Sequence, residues 1–544
     1  APAIEPCKRA AQRRPAAGRG MLRARMPTAS NSLPSAASPS GARHALAYAA
    51  VLLPVALALA LHAVQGSVAG LAVDDAFYLL MADRQFGRLD GEPGLLALLA
   101  TRSYPPLYPL VLGLFGGGSD SLLAASITNA ALILMWVACL LAWLLRAGVA
   151  PAGAALLALA AAFAPFTLCH AQVLWSEHLY LLLQMLALWC LERQAPRGRD
   201  VLLAGALVGL TLLTRTAGIA LVAAFSLYLL WHRPQRWAPA LALAWLPLLE
   251  RFTHRASVYG GELQGVFAQG LQGTLGRIAD NGAGLWQGWR DGLSMADPPA
   301  LVGPALLLLL AIGGWVLRQR RRRLDAFLVP VYLAMLLCWG FSQHAPRFLY
   351  PLFPILAYYA WLAGVALVGQ VRALPRAIVG TVVAALLAAA IAIPAGIHVA
   401  QRARIPLAPE LADFKRTQMW LAVRPAEMAP YIAQALDAAI TDTRQIRELT
   451  PAGACVHTDS PGFVMLYGHR IPYQAPWRTV EDLAAASGGP CRHAYVDPNT
   501  IDGLQDAPRR ERLGLRTLRA SRITPPDGPA EDVGLLLELP PPAP

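Results

Sequence analysis

Eleven stretches of the chain are almost wholly apolar: 44–64, 121–145, 150–169, 174–191, 201–213, 217–231, 237–249, 301–317, 326–342, 348–369 and 376–398. An α-helix rises 1.5 Å per residue, so about 20 such residues cross the hydrocarbon core of a bilayer. Most of the stretches reach that length. The stretches 201–213, 217–231 and 237–249 fall short, and each reads as a tilted span, a half-helix or part of one long broken helix. The pattern predicts a mainly α, polytopic membrane bundle of about eleven spans, with nine to twelve compatible with it. Beyond residue 400 the apolar runs give way to soluble patterning. There, 409–447 reads as helical, 454–458 and 494–497 as short buried strands, and 463–467 as a further strand, making a small α/β domain. The Pro-rich stretch 523–544 reads as loose. The expected organisation is a disordered tail over 1–41, a membrane domain over 42–399 and a soluble domain over 400–544.

Composition agrees with a lipid-facing surface. Of the 544 residues, 56% are hydrophobic and 15% are charged, against about 25% charged in ordinary soluble domains. The net charge of +13 is carried by arginine, since lysine occurs only at Lys8 and Lys415. Such an excess raises the question of a nucleic-acid partner, but its placement in short loops argues against one. A cytoplasmic N-terminus puts Arg146, then Arg193, Arg197 and Arg199, then Arg233 and Arg236 on the cytoplasmic side. Arg318, Arg320, Arg321, Arg322 and Arg323, and then Arg372 and Arg376, fall there too. That is the orientation the positive-inside rule requires. It places the soluble domain outside the cytoplasm. A secretory signal with 45–64 as its apolar region is the rival reading, but the stretch is long enough to span and lacks a convincing cleavage site.

The same orientation gathers unusual polar residues on the outer face. Asp74 and Asp75 open an amphipathic segment after the first span; they read as helix caps, or as a general base or metal pair. Tyr104 and Tyr108 lie in Tyr104-Pro105-Pro106-Leu107-Tyr108-Pro109, a rigid entry into the next segment. Glu177 begins an apolar helix, where a carboxylate also serves as a cap. Arg215 separates two short apolar segments, which suggests a broken helix; it reads as a snorkelling side chain or a fixed phosphate-binding cation. His344 and Arg347 stand at the outer start of a span, the side that arginine ordinarily avoids. Together these are acids suited to taking a proton and cations suited to a phosphate leaving group.

In that order the motifs resemble the GT-C superfamily of membrane glycosyltransferases, near the bacterial relatives of protein O-mannosyltransferases and aminoarabinose transferases. The matching residues are Asp74-Asp75, Tyr104 to Pro109, Ser176-Glu177, Leu213-Thr214-Arg215 with Gly218, and Arg347-Phe348-Leu349 with Pro351 and Pro354. The similarity covers roughly 45–370. The resemblance implies transfer of a sugar, with inversion, from a polyprenyl-phosphate carrier to a hydroxyl of a glycan, lipid or protein at the outer face of a bacterial cytoplasmic membrane. It implies that Asp74 is the base and Asp75 the second acidic position. Arg215 and Arg347, with His344, would lie near the donor phosphate, and Tyr104, Tyr108 and Glu177 near substrate. Some branches use a divalent metal; the loop has no clear Asp-x-Asp, so no metal or other cofactor is expected. Ala217 stands where many relatives carry an acid, which leaves acceptor preference open.

Of seven cysteines, only Cys455 and Cys491 fall in the soluble domain. Each precedes a strand, and in an oxidising compartment they are expected to pair. Two readings from other classes compete with the transferase: a transporter of a lipid-linked sugar and a non-catalytic scaffold. A transporter places its polar residues near the membrane midplane, whereas here they collect toward one face.

Overall fold

The computed structural model describes residues 40–64, 68–70, 73–89, 93–101, 104–171, 173–193, 195–249, 268, 270–293, 301–339, 345–371, 375–404, 408, 411, 429–474, 477–486, 489, 491–525 and 528–541. The fold is mainly α, a bundle of apolar helices with a small C-terminal sheet. Among the described residues five helices are long and apolar enough to cross a membrane: Gly41–Leu61, Leu122–Arg146, Val302–Gln319, Arg347–Gln370 and Arg376–Ile397. Pro151–Ala162, Glu177–Leu191, Gly218–His232 and Leu324–Leu337 are apolar but shorter. The expected helical run at 150–169 is divided at Phe163 and Ala164, where Pro165 begins a second short helix, Pro165–Ala171.

The run expected to break at Arg215 does so. Gly198–Thr214 and Gly218–His232 are separate helices, and Arg215 sits between them in extended conformation. Gly218 permits the close return of the chain: a Cβ there would lie 2.6 Å from the Thr211 carbonyl oxygen. Between the first and second long helices lie three short ones, Val73–Gln85, Pro93–Thr101 and Leu107–Leu114. Val73–Gln85 is buried on nearly every side, from Asp75 to Asp83.

The arginine loops meet at one end of the bundle. Arg146 Nη1 donates to the Trp189 carbonyl at 2.5 Å, and Arg323 Nη1 to the Arg193 carbonyl at 2.6 Å. His232 Nε2 lies 2.8 Å from the Arg322 carbonyl. Arg318 departs from the expectation of a loop residue. It is fully buried, with Nη2 donating to Glu192 Oε2 at 2.5 Å and Nε to Asp325 Oδ2 at 2.8 Å. Tyr359 and Trp143 complete the cluster, donating to Asp325 and Glu192. Two carboxylates make burial of this one guanidinium tolerable, which the local sequence around Arg318 does not reveal.

The C-terminal region carries a mixed five-stranded sheet in the order β2-β1-β3-β5-β4, with β1 Cys455–Thr458, β2 Ile471–Tyr473, β3 His493–Val496, β4 Arg516–Ile523 and β5 Glu531–Glu538. β1 pairs parallel with β2 and β3, while β5 runs antiparallel to β3 and β4. Two expectations differ from the structure. Residues 463–467 are not a strand: Pro461–Leu466 is a helix, with proline at a helix start and every residue buried. The stretch 523–544 is not loose throughout, because Leu535, Leu536 and Leu537 form the buried heart of β5. The expected helix 409–447 is observed as Ala429–Leu449, and 412–428 lie outside the described residues. Cys455 and Cys491 are bonded to each other, with their Cα atoms 5.0 Å apart.

Candidate active site

Val73–Gln85 presents Asp74 and Asp75 from its first turn, and the two carboxylates part company there. Asp75 is 1% exposed, and its Oδ1 accepts the amides of Gly70 at 3.0 Å and Ala76 at 2.7 Å. It ties the helix start to the segment before it, as a capping carboxylate does. Asp74 faces the other way, into a cluster of polar side chains. Its Oδ1 accepts the Tyr104 hydroxyl at 2.7 Å, and its Oδ2 accepts Arg347 Nη1 at 2.5 Å.

Arg347 also donates through Nε to Glu177 Oε1, and Arg215 pairs with the same oxygen. The Ser176 side chain makes no capping bond at this helix start, and Glu177 serves the two guanidiniums instead. Glu177 Oε2 has no hydrogen-bond partner among the described residues. The result is a chain of four ionic groups, Asp74, Arg347, Glu177 and Arg215, with balanced formal charge. Aromatic rings hold both cations in place: the Arg347 guanidinium lies 4.3 Å from the Trp175 ring centre and that of Arg215 lies 5.7 Å from Phe348. Arg215 is buried, whereas the Asp74 side chain remains 25% exposed and so can be reached by a reacting group.

Tyr108 takes a different place from Tyr104. It is fully buried, its hydroxyl donates to Asn129 Oδ1 at 3.1 Å, and its ring packs edge-on against Tyr78. The Tyr78 hydroxyl is in turn 3.0 Å from Ser176 Oγ. Tyr108 therefore braces the layer behind the site rather than lining it. His344 lies outside the described residues. Among the described residues no group of three or more His, Cys, Asp or Glu side chains is placed to hold a metal ion.

Sequence reasoning missed Trp175 and His170 as parts of this site. The His170 ring packs 5.0 Å from Trp175 and stacks 4.3 Å from Tyr350, and its Nδ1 lies 2.6 Å from the Phe166 carbonyl. Both residues stand close to Glu177 in sequence, and a rule that cations seek indole rings would have singled out Trp175.

Glu177 begins the helix that Glu192 ends. The site and the buried Arg318 cluster therefore occupy opposite ends of one helix, about 22 Å apart at 1.5 Å per residue.

Residues 103–249 match the family model of the dolichyl-phosphate-mannose-protein mannosyltransferases. The matched span holds Tyr104, Tyr108, Glu177 and Arg215; Asp74 and Arg347 lie outside it. No curated protein sequence matches the chain. Among solved structures, ArnT from Cupriavidus metallidurans bound to undecaprenyl phosphate is similar at 14% identity, over 92% of this chain and 98% of that one, with a TM-score of 0.49. The apo oligosaccharyltransferase of Archaeoglobus fulgidus is similar at 14% identity, over 82% and 70%, with a TM-score of 0.48. The arabinofuranosyltransferase AftD from Mycobacteria is similar at 16% identity, over 91% and 40%, with a TM-score of 0.42. By its motifs and by the family match over residues 103–249, the chain resembles the GT-C membrane glycosyltransferases.

Proposed function

We propose that the protein is an inverting glycosyltransferase that moves a sugar from a polyprenyl-phosphate carrier to an acceptor hydroxyl at the outer face of the cytoplasmic membrane. The observation that carries this reading is Arg347, which joins Asp74 to Glu177 beside Arg215. A hydroxyl is a poor nucleophile until a carboxylate takes its proton, and Asp74 is the accessible carboxylate. As the acceptor oxygen bonds to the anomeric carbon, the bond from that carbon to the carrier phosphate breaks. The phosphate oxygen keeps the electron pair, and Arg215 and Arg347 stand where they can stabilise that charge. The dolichyl-phosphate-mannose chemistry named by the matching family has the same donor type. A lipid-linked donor also suits a chain whose helices are long and apolar enough to cross a membrane.

The test is direct. The purified chain, in detergent or liposomes, is incubated with a panel of labelled polyprenyl-phosphate sugars and with hydroxyl acceptors drawn from glycans, lipids and proteins. Label moving from carrier to acceptor supports the reading. Movement of the intact lipid-linked sugar between leaflets, with no transfer, would replace it with the transporter reading. The proposed orientation is tested separately by labelling a cysteine placed at position 320, which should react only from the cytoplasmic side.

A further inference from the structure

The C-terminal domain touches the segment that carries the proposed base, and the contact is specific. The hydroxyl of Tyr467 donates to the Ala69 carbonyl at 3.0 Å and accepts the Ala69 amide at 3.4 Å, so one phenol closes on both polar atoms of one peptide residue. Burial pushes the Tyr467 phenol up to about 12, which keeps it a neutral donor at any working pH. Phe463 stacks on Tyr467, and the Arg444 guanidinium lies 5.5 Å from the Tyr467 ring centre. Next along the chain, Gly70 has φ +98, and backbone meets backbone there: a Cβ on Gly462 would lie 2.2 Å from the Gly70 carbonyl oxygen. Only glycine fits at either position. Met465 and Leu466 extend the contact into the core formed by Ala76, Phe77 and Leu80.

The clasped segment is tied to the site by one carboxylate. The Gly70 amide donates to Asp75, which also accepts the Ala76 amide, so Asp75 joins the clasped backbone to the first turn of Val73–Gln85. Asp74 is the adjoining residue, with its own carboxylate turned to Tyr104 and Arg347. A base must be held within about 0.5 Å of its productive position by elements whose own geometry is fixed.

We propose that the helix Pro461–Leu466 of the C-terminal domain is a positioning element of the transfer site, with Gly462 and Tyr467 holding Ala69 and Gly70 so that Asp75 sets the first turn and Asp74 points at the reacting hydroxyl. This makes the C-terminal domain part of the catalytic apparatus rather than a separate module. It rests on the assignment of Asp74 as the base.

The experiment uses the full chain carrying Tyr467→Phe and, separately, Gly462→Ala. The phenylalanine keeps the ring packing and removes only the hydroxyl, so it guards against simple misfolding. Transfer kinetics are measured with a donor that the unaltered protein uses, and amide hydrogen exchange is followed over 68–80. The proposal expects kcat to fall roughly 10- to 100-fold, as for a displaced catalytic group. KM for the donor should change much less than kcat, because Glu177 on another element still holds both Arg347 and Arg215. Exchange over 68–80 should rise in both variants. Unchanged kcat in a Tyr467→Phe protein whose Asp74→Asn counterpart is inactive would overturn the clasp alone. A parallel loss of kcat, donor affinity and melting temperature would also overturn it, since that pattern marks a merely structural role. No transfer by the unaltered protein with any donor would instead overturn the proposed function on which the clasp depends.

Discussion

Arg347 Nη1 donates to Asp74 Oδ2 at 2.5 Å, joining residues 273 positions apart in the chain. The bond means that the proposed base and a proposed phosphate-binding cation are parts of one unit. It exists only when the first turn of Val73–Gln85 meets the start of the span Arg347–Gln370. The same guanidinium reaches Glu177 through Nε. A planar fork can serve two carboxylates at once; a single ammonium cannot do so in the same geometry.

Arg347→Lys keeps the charge and should still lower kcat about ten-fold or more, because Asp74 and Glu177 lose their common partner. Arg347→Ala should lower it further. Equal activity of the lysine variant and the unaltered protein in a steady-state transfer assay would show that the fork does not matter.

Tyr104 donates to the other oxygen of Asp74 at 2.7 Å. A hydrogen bond to a charged group is worth about 1.5–3 kcal/mol, and losing it frees the carboxylate to rotate. Tyr104→Phe should therefore reduce kcat by about ten-fold or more while melting temperature changes little. Tyr108→Phe should do the reverse. Its hydroxyl meets Asn129 in the layer behind the site, so its loss should register in stability before rate.

The buried cluster at the far end of Glu177–Leu191 should behave as a structural device. Removing one member of a buried ionic group leaves its partners uncompensated, at a cost of about 3–5 kcal/mol. Arg318→Leu leaves Glu192 and Asp325 without their common cation. The variant should lose detergent-solubilised stability heavily. A melting temperature within about 1 °C of the unaltered protein would show that the cluster contributes little.

The C-terminal sheet should be acid-sensitive. His457 is buried in β1 between Tyr473 and Trp477, and burial holds its imidazole below its ordinary value near 6.5. The unfolded chain then binds more protons than the folded one as pH falls through the ordinary histidine range. The stability contribution is complete above about pH 6.5 and declines below it. His493 in β3 is shifted the same way by burial and adds to the slope. Amide protection of 455–458, corrected for intrinsic exchange, should fall between pH 7 and pH 5, and less steeply in His457→Phe. An identical slope in the two proteins would remove His457 from the explanation.

Much of this was readable from residue order. The apolar stretches located the helices, and Arg215 between two stretches too short to span announced a break. Glu177, Arg215 and Arg347 were candidates because each was an oddity at an apolar segment's end, and Asp74 because it pairs with a second carboxylate in the loop after the first span. Which of two adjacent aspartates faces the site was not readable. That depends on the amides of Gly70 and Ala76 capturing Asp75, a matter of side-chain direction within one turn. Arg318 was misplaced because its partners lie 126 and 7 residues away, and Glu192 could not be inferred from the arginine run itself. β5 was hidden because a strand covered on both faces loses its alternation, leaving Leu535, Leu536 and Leu537 as a plain apolar run among prolines.

In the proposed reaction Asp74 takes the acceptor proton while the two arginines hold the donor phosphate. This assignment is tested most directly by single-turnover transfer from a labelled polyprenyl-phosphate sugar, comparing the unaltered protein with Asp74→Asn. The asparagine preserves shape and can still meet Tyr104, but it cannot accept a proton at working pH. Transfer should fall by roughly 100-fold or more, with binding of the unlabelled carrier phosphate retained. Transfer by Asp74→Asn at the rate of the unaltered protein would contradict the assignment.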